Sequence, residues 1–521
     1  MGCDKPPAST RRPLSDSKSG ARGGGRAASL VAIGILASRL TGLVRSQVFA
    51  HFFGSLPEAD AVTAAFRIPN LLQNLFGEGA MSASFIPVYA GLLAKGDEKE
   101  ADRVAGAIAA LLALVVAIVV LIGVLATPVL IDLIAPGFQG ERRVLCIQLV
   151  RIFFPGAGFL AMSAWCLGVL NSHHKFLLSY ASPVLYNAVI IATLAAFGGR
   201  VGVSHLAVLF AWGSVAASAA QFAVQIPTVI RVAPALRMRV DTKSADVRVV
   251  VHNFGPTFVA RGVVQLSAYI DQFLATWLPF GAVALLGYAQ ILYTLPVSLF
   301  GMSVSAAELP AMSRDTAAEV LRERLNAGLR RIAFLVIPSA MAFFVLGDVL
   351  GGIFKSGRFT EADTVWVWRI LAGSGIGLLA STLGRLYSST YYALKDTRTP
   401  LRFAVVRVTL TTILGVIFAF ALPRWLGVDT RWGMAGLTAS AGLAGWVEFY
   451  LLRRGITPRI GQTGVRGRYV AALWAIAALC AAAAYGLKLV FPPGHAFIRA
   501  AAILSVYGAL YLALTKVANP K

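Results

Sequence analysis

Two arginines, Arg39 and Arg45, lie in an apolar segment long enough to cross a lipid bilayer. A charged side chain at the bilayer centre costs about 3 kcal/mol on insertion scales, so it is kept where it faces a cavity or a partner. Guanidinium stays protonated and offers a planar fork of donors that suits phosphate. In a helix the two residues lie about 9 Å apart along the axis, a spacing that fits contact with a diphosphate. The pattern indicates an anionic ligand, although extension of either side chain to the membrane interface is the alternative.

The next apolar helix carries Pro69 and a glycine pair, Gly77 and Gly79, which predict a bend. Irregular backbone at membrane depth is tolerated where it is buried in protein or lines a cavity. Glu78 is a candidate to pair with an arginine in one conformation and release it in another; a purely structural pair is the alternative. Asp60, at the predicted outer end of this helix, is a candidate for a gating or ion-pair role, or for a helix cap.

The second half of the chain carries further charges within apolar segments. Arg261 and Asp271 are almost three helical turns apart and therefore share one helix face. Arg385 and Arg407 are further cations within or near the membrane, and we predict that Asp271 pairs with Arg407.

Composition excludes most other classes of protein. The chain has 521 residues, of which 57% are hydrophobic and 14% charged, and its mean hydropathy is +0.72. Its four cysteines and six histidines have no metal-ligand spacing, so we expect neither a metal site nor a cofactor. The net charge of +23 would suggest nucleic acid in a soluble chain, but here it indicates cytoplasmic loops and anionic membrane lipids, with no nucleic acid.

Apolar segments predict an all-α polytopic membrane protein of about 14 transmembrane helices. With the N-terminus inside, about 30 of the 47 Lys and Arg residues fall in cytoplasmic segments and about 8 fall outside. Both termini are therefore predicted to be cytoplasmic. The predicted helices are 29–53, 60–92, 105–134, 146–171, 178–198, 203–230, 249–278, 281–307, 331–354, 364–394, 400–422, 432–453, 469–490 and 496–516.

A weak internal repeat divides this series. Leu75-Phe76-Gly77 and Leu299-Phe300-Gly301 begin similar stretches, each with an arginine upstream at a similar distance. The repeat predicts two pseudo-symmetric lobes with the same orientation and a substrate site between them near the midplane. Chance similarity among Leu/Ala/Ser-rich helices is the alternative. The predicted organisation is a disordered basic tail (1–28), an N-lobe of six helices (29–230), a C-lobe of six helices (249–453) and two C-terminal helices (469–516).

These segments resemble the MviN/MurJ lipid II flippases of the multidrug/oligosaccharidyl-lipid/polysaccharide exporter superfamily. The matching residues are Ser38-Arg39, Gly42, Arg45, Phe53-Gly54, Ala59-Asp60-Ala61, Ile68-Pro69-Asn70-Leu71-Leu72, Glu78-Gly79-Ala80, Phe85-Ile86-Pro87, Gly255-Pro256, Leu309-Pro310, Gly357-Arg358-Phe359-Thr360 and Lys395-Asp396-Thr397-Arg398-Thr399-Pro400.

The resemblance implies transport of a lipid-linked peptidoglycan precursor, lipid II, from the inner to the outer leaflet of the bacterial plasma membrane. It implies alternating access through a cationic central cavity, with a groove for the polyprenyl tail at the last two helices. Diphosphate and sugar would lie near Arg39, Arg45 and Asn70, and Arg67 and Arg385 occupy positions where the family has basic residues. Cell-wall synthesis machinery is a further expected partner.

The chain also departs from the family. Gln73-Asn74 follows the Pro-Asn-Leu-Leu run where many members have arginine, and Tyr288-Ala289-Gln290-Ile291 stands where many have Asp-Arg. Two cavity arginines are therefore absent, and we expect Arg261 to supply the missing charge. Asp271 matches a position of a sodium site described for some members, but Arg407 conflicts with a cation there.

Three other functions stay open at this stage. The first is export of another polyprenyl-diphosphate oligosaccharide or of an amphipathic drug. The second is a membrane-bound glycosyl- or phosphotransferase, which would require acidic metal-binding motifs that the polar connections lack. The third is a non-transporting scaffold for cell-wall assembly, which would not require charges inside helices. The sequence thus predicts a transporter rather than an enzyme.

Overall fold

The computed structural model of the chain is a bundle of long helices. It describes residues 17–76, 81, 84–241, 243–255, 269–490 and 496–518, with side chains from residue 34 onward apart from Ile68. Over these residues there is no β-strand, and the one isolated bridge joins Ser356 and Phe359. The all-α prediction is confirmed.

Helix bounds define the elements used below. The first half of the described chain contains α1 (Ser17–Phe53), α2 (Pro57–Phe76), α3 (Ile86–Ala94), α4 (Glu98–Leu125), α5 (Thr127–Ile134), α6 (Gly140–Ser172), α7 (Phe176–Phe197) and α8 (Val203–Val232, with a turn before Ile226). The second half contains α9 (Ile270–Ala275), α10 (Ala282–Arg314), α11 (Ala318–Val345), α12 (Gly347–Gly351), α13 (Glu361–Ala393), α14 (Arg398–Trp425), α15 (Trp432–Ile460), α16 (Gly467–Val490) and α17 (Ala496–Ala518). Residues 245–255 are also helical.

Several boundaries differ from the predicted ones. Helix α1 extends back to Ser17, so the second part of the tail predicted as disordered over 1–28 is helical. The helix predicted over 105–134 is interrupted at Ala126, two residues before Pro128, because proline cannot continue the backbone hydrogen-bond ladder. Helix α11 begins at Ala318 rather than at residue 331, because the charged residues before the apolar run are good helix formers.

Ten of the described helices are long and apolar enough to cross a membrane. Ten is consistent with the predicted fourteen, since the predicted spans 60–92 and 249–278 include residues outside the described ranges, and α1 and α15 are described helices that are not among the ten. Successive helices reverse direction, so the ends of the bundle can be named from α1: the proximal end is where α1 begins, and the distal end is where it ends at Phe53.

Helix contacts follow the two halves of the chain. In the first half α6 packs along α2 and α8, while α7 packs against α1 and α8. In the second half α13 packs against α11 and α15, and α14 also packs against α15. Helix α16 packs on α11 and α17 packs on α16. The last two helices therefore attach to the second half.

Small residues allow α13 and α15 to approach closely. A Cβ atom added to Gly377 would lie 2.2 Å from the Cα of Gly442, and one added to Gly373 would lie 2.5 Å from the carbonyl oxygen of Ala435. The Thr438 hydroxyl donates to the carbonyl of Ile370 across the same contact (3.0 Å). Close helix packing of this kind replaces the hydrophobic driving force that lipid does not supply.

The connection between the halves is held against the proximal end of α4. Asp102, which is 4% exposed, accepts a hydrogen bond from the backbone N–H of Ala235 (2.9 Å). Arg103 forms an ion pair with Asp241 (2.7 Å), and the absent side chain of Gly106 makes room for the Arg237 backbone. This basic connection is therefore packed on the first half rather than free.

Candidate functional site

A buried carboxylate joins the two halves at the distal end. Asp60, in the first turn of α2, is fully buried and accepts hydrogen bonds from the backbone N–H groups of Gly281 (2.8 Å) and Ala284 (2.9 Å). Gly281 is the residue just before α10 and Ala284 lies in its first turn, where free backbone donors and the helix dipole favour a negative charge. Asp60, for which both a gating role and a helix cap were considered, thus caps a helix of the other half.

Arg142 completes this contact, and the sequence did not single it out. Its guanidinium forms an ion pair with Asp60 (3.2 Å) and donates to the carbonyl of Thr276 in the second half (3.3 Å). The guanidinium carbon lies 3.9 Å from the centroid of the Phe138 ring and 5.0 Å from that of Phe280, so its charge also contacts aromatic faces. A signal was present, since basic residues are scarce in the connections at this end of the bundle.

Further hydrogen bonds link the halves around Asp60. Each joins the distal part of α1 or the following turn to a group in the second half. The pairs are Gln47 Nε2 to Ile353 O (2.7 Å), His51 Nδ1 with Ser356 Oγ (2.6 Å), Arg358 N to His51 O (2.9 Å), Ser55 Oγ to Asp363 Oδ1 (2.6 Å) and Tyr288 Oη to Gly54 O (3.0 Å). The distal end is therefore closed.

Two glycines make this closure sterically possible. Gly54 has a φ of +52° and Gly357 a φ of +57°, a region that residues with a Cβ rarely adopt. A Cβ on Gly54 would lie 2.4 Å from the Arg358 carbonyl oxygen, and one on Gly357 would lie 2.4 Å from that of His51. Two of the sequence motifs, distant along the chain, thus meet backbone to backbone.

Nearer the midplane, α1 contributes its arginines. The Arg45 guanidinium carbon lies 6.0 Å from the centroid of the Tyr186 ring, and Tyr186 lines a narrow cleft together with Asn70 and Pro69. Arg45 is partly buried, whereas Arg39, closer to the proximal end, is exposed. Arg45 therefore lies next to Tyr186 in the lining of the cleft that also contains Asn70, whereas Arg39 lies farther toward the proximal end.

Arg67 lies where α2 meets the second half. Its guanidinium carbon lies 5.8 Å from the centroid of the Tyr269 ring, and the Tyr269 hydroxyl donates to the Arg67 carbonyl (3.0 Å). Two residues later, Asp271 has a buried carboxylate oxygen without a hydrogen-bond partner among the described residues, and the charges of Arg407 and Arg67 both act on it.

The predicted Asp271–Arg407 ion pair is not the contact that the structure contains. Arg407 pairs instead with Glu448 of α15 at 3.2 Å, because α14 and α15 pack side by side and place these two side chains opposite each other. Asp271 and Arg407 interact electrostatically, but they do not form an ion pair. Arg385 is exposed. Glu448 carried the same signal as Asp271, a carboxylate within an apolar segment, but the sequence does not show which arginine it faces.

Two predicted site residues, Glu78 and Arg261, lie outside the described residues. Within the described part of the chain, no group of three or more His, Cys, Asp or Glu side chains could hold a metal ion.

A third motif shapes the proximal loop between α13 and α14. The carboxylate of Asp396 accepts from the Thr399 backbone (3.0 Å) and pairs with Arg459 of α15 (2.8 Å). The Thr399 backbone N–H and hydroxyl, together with Arg459, lower the Asp396 pKa to about 2 against the opposing effect of burial. This motif positions the start of α14 and so the helix that carries Arg407.

Comparison with known proteins connects this arrangement to a family. The family model described as "Lipid II flippase MurJ" matches residues 49–504. The chain belongs to the lipid II flippase MurJ family. The identification made from the sequence motifs is therefore confirmed. A flippase moves a lipid without transforming it, so the prediction of a transporter and not an enzyme is confirmed as well.

Curated relatives match most of the chain. The "Lipid II flippase MurJ" of Burkholderia cenocepacia is 30% identical over 434 residues, which cover 81% of this chain and 82% of the relative. The "Probable lipid II flippase MurJ" of Rhizobium tropici is 30% identical over 422 residues, covering 79% and 77%.

Solved structures show the same fold. One described as "Lipid II flippase MurJ, inward closed conformation" has a TM-score of 0.75 at 24% identity and covers 94% of this chain and 98% of that chain. An inward-facing multidrug resistance MATE family transporter of the MOP superfamily has a TM-score of 0.67 at 16% identity, covering 83% and 98%. The fold of this MurJ-family chain is thus shared with exporters of other compounds.

Proposed function

We propose that this chain carries the diphosphate headgroup of lipid II from the inner to the outer leaflet of the bacterial plasma membrane by alternating access between two lobes. The observation that carries the proposal is the closure at the distal end, where Asp60 binds the first turn of α10 while arginines lie deeper in the bundle. This is the arrangement of a carrier that is shut on one side.

Arginines on both lobes would hold the diphosphate in the space behind this closure. Arg45 and Asn70 would bind from the N-lobe (29–230), and Arg67 lies at its contact with the C-lobe (249–453). Arg407 and Arg385 would contribute from the C-lobe. Guanidinium groups can form paired hydrogen bonds to phosphate, and a low-dielectric surrounding strengthens them. Arg39, which is exposed nearer the proximal end, would meet the headgroup first.

Charge distribution supports the orientation. The proximal end carries most of the Lys and Arg of the connections, so it would face the cytoplasm, with both termini there. The distal closure then separates the site from the outer side. The pair α16 and α17, the two C-terminal helices predicted over 469–516, would take the polyprenyl tail, since Leu479, Leu489 and Leu512 expose apolar surface. Membrane lipids and cell-wall synthesis machinery remain proposed partners.

Arg261 and Glu78 complete the proposed set. Arg261 would supply the charge of the two missing family arginines, and Glu78 would exchange arginine partners between conformations. In a flippase-depleted strain, we expect Arg261→Ala to fail to support growth at normal expression. Growth equal to that of the unmodified chain would refute the compensation.

Locking the distal end tests the transport mechanism. We expect the double substitution His51→Cys and Ser356→Cys, at side chains that lie 2.6 Å apart on opposite halves, to form a disulfide on oxidation. Translocation of labelled lipid II in proteoliposomes should fall at least about tenfold in the oxidised protein, since a covalent bond between the halves keeps the distal end closed. Reduction should restore transport.

The matched control places a pair of cysteines within one half. Asp132→Cys with Arg143→Cys replaces an exposed pair whose atoms lie 2.7 Å apart within the first half at the same end. Its oxidation should leave transport unchanged. Cys146, Cys166 and Cys480 are buried and remain in both proteins, and Cys3→Ser removes the remaining cysteine. Unimpaired transport by the oxidised inter-half pair would refute alternating access at this seam.

A further inference from the structure

A large cavity at the distal end lies outside the proposed transport path. Its volume is about 710 Å³, within the range of small-molecule sites. It lies where three parts of the chain meet: the end of α1 with Gln47 and His51, the segment around α12, and the ends of α16 and α17 that face each other. The cavity therefore lies at the level of the lipid headgroups of the distal leaflet.

Cations outnumber carboxylates in its wall. Lys488 pairs with Asp348, and Lys355 pairs with Glu361. Arg499 has no carboxylate within ion-pair distance among the described residues. The wall consequently carries one uncompensated positive charge, that of Arg499.

Arg499 is directed into the site rather than toward the membrane interface. One terminal nitrogen donates to the carbonyl of Lys488 (2.9 Å), which fixes the side chain across the gap between α17 and α16. Its Nε is buried and has no hydrogen-bond partner in the described part of the chain. The accessible part of the guanidinium lines the cavity, where an anionic acceptor would satisfy donors that the protein leaves free and offset the charge.

The rest of the lining is apolar. Val48 and Phe52 of α1, Ile353, and Phe497 of α17 line the cavity with aliphatic and aromatic surface. A free phosphate ion would leave this surface in contact with water, whereas the glycerol and first methylene groups of a phospholipid would cover it. The combination of one free cation with apolar walls suits an amphipathic anion.

We propose that this cavity binds the phosphate group of a membrane phospholipid from the distal leaflet, with Arg499 as the anchoring cation. The bound lipid contacts α1 of the first half and α17 of the second, so it bridges the two halves beside the distal closure, whose residues His51 and Ser356 also line the cavity. Its ligand is a bulk phospholipid and its anchoring residue, Arg499, is not one of those assigned to the diphosphate, so the binding test does not depend on the transport proposal.

Lipid titration of the delipidated full-length protein in detergent tests the site. With phosphatidylglycerol as the probe, we expect a saturable rise in the thermal unfolding temperature. Arg499→Gln should weaken the apparent affinity at least about tenfold, because a charge-assisted hydrogen bond is lost. Arg424→Gln is the matched control, since Arg424 is an exposed arginine at the same end outside the cavity. Equal affinities for the two variants would overturn the proposal.

Two further experiments identify the ligand and provide a second variant in case Arg499→Gln does not fold. Diacylglycerol with the same chains should give no saturable shift, and inorganic phosphate should bind far more weakly than the phospholipid. An equal effect of inorganic phosphate would overturn the lipid assignment. Ala195→Phe adds bulk at an exposed position in the cavity wall without changing a charge, and it should also weaken phosphatidylglycerol binding. Unweakened binding in this folded variant would contradict the site independently of Arg499.

Discussion

Replacing Asp60 with alanine is expected to abolish lipid II transport and to destabilise the distal closure. The substitution removes the acceptor of two backbone N–H groups at the start of α10 and leaves the Arg142 guanidinium, 9% exposed, without its carboxylate. Removing one partner of a buried ion pair costs about 3–5 kcal/mol. A loss of that size in one conformation shifts a two-state equilibrium by a factor of about a hundred or more.

Two measurements report this effect separately. Translocation of labelled lipid II in proteoliposomes should fall to background in Asp60→Ala. When Asp60→Ala is combined with the His51→Cys and Ser356→Cys substitutions, the rate of disulfide formation should also fall, because the distal end is closed for a smaller fraction of the time. Asp60→Asn keeps one acceptor oxygen, but its amide NH₂ replaces the other and faces a backbone N–H group, which is also a donor. We therefore expect a loss of transport between that of Asp60→Ala and the unmodified protein.

An exposed pair at the same end provides the comparison. Asp132 and Arg143 form an ion pair at 2.7 Å, yet their side chains are 59% and 34% exposed. Water and salt screen such a pair, so Asp132→Ala should leave both transport and cross-linking nearly unchanged. If Asp60→Ala behaves as Asp132→Ala does, the buried contact does not control the distal end.

Replacing Arg45 with alanine is expected to eliminate transport without unfolding the protein. In the described part of the chain Arg45 has no carboxylate within ion-pair distance, so its removal leaves no buried charge without a partner among those residues. Loss of a charge-assisted contact to phosphate costs about 1.5–3 kcal/mol, or roughly ten- to a hundredfold in headgroup affinity. Arg45→Lys keeps the charge but not the planar fork and should restore part of the activity.

Transport and binding should be measured on the same preparations. Labelled lipid II provides both the translocation rate and the apparent affinity, and the thermal unfolding temperature should match that of the unmodified chain. Arg151→Ala is the control, since Arg151 is an exposed arginine on α6 with no role in the proposed site. Transport by Arg45→Ala at the unmodified rate would remove Arg45 from the proposed site. Unchanged leaflet distribution with the folded, unmodified protein would count against the flippase itself.

The sequence identifies several motifs and charged residues, but it does not show what they contact. The Phe53-Gly54 and Gly357-Arg358-Phe359-Thr360 motifs were recognisable as family residues, but their purpose became visible only where Gly54 meets the Arg358 carbonyl and Gly357 meets that of His51. Asp60 is one of the residues that the sequence predicts to have a gating or ion-pair role. Its partners, the backbone of α10 and Arg142, could not be named, because they lie 221 and 82 residues away in the chain.

Local free energies explain what the sequence by itself determined: the all-α class, the apolar spans, the excess of cations at the proximal end and the presence of arginines inside helices. Transfer into a bilayer and backbone hydrogen bonding act on each segment separately, and so they can be read from one stretch at a time. Pairings between helices were decided only by the tertiary structure. Arg407 binds Glu448 rather than Asp271, and Arg142 binds Asp60, because the packing of neighbouring helices determines which side chains face each other.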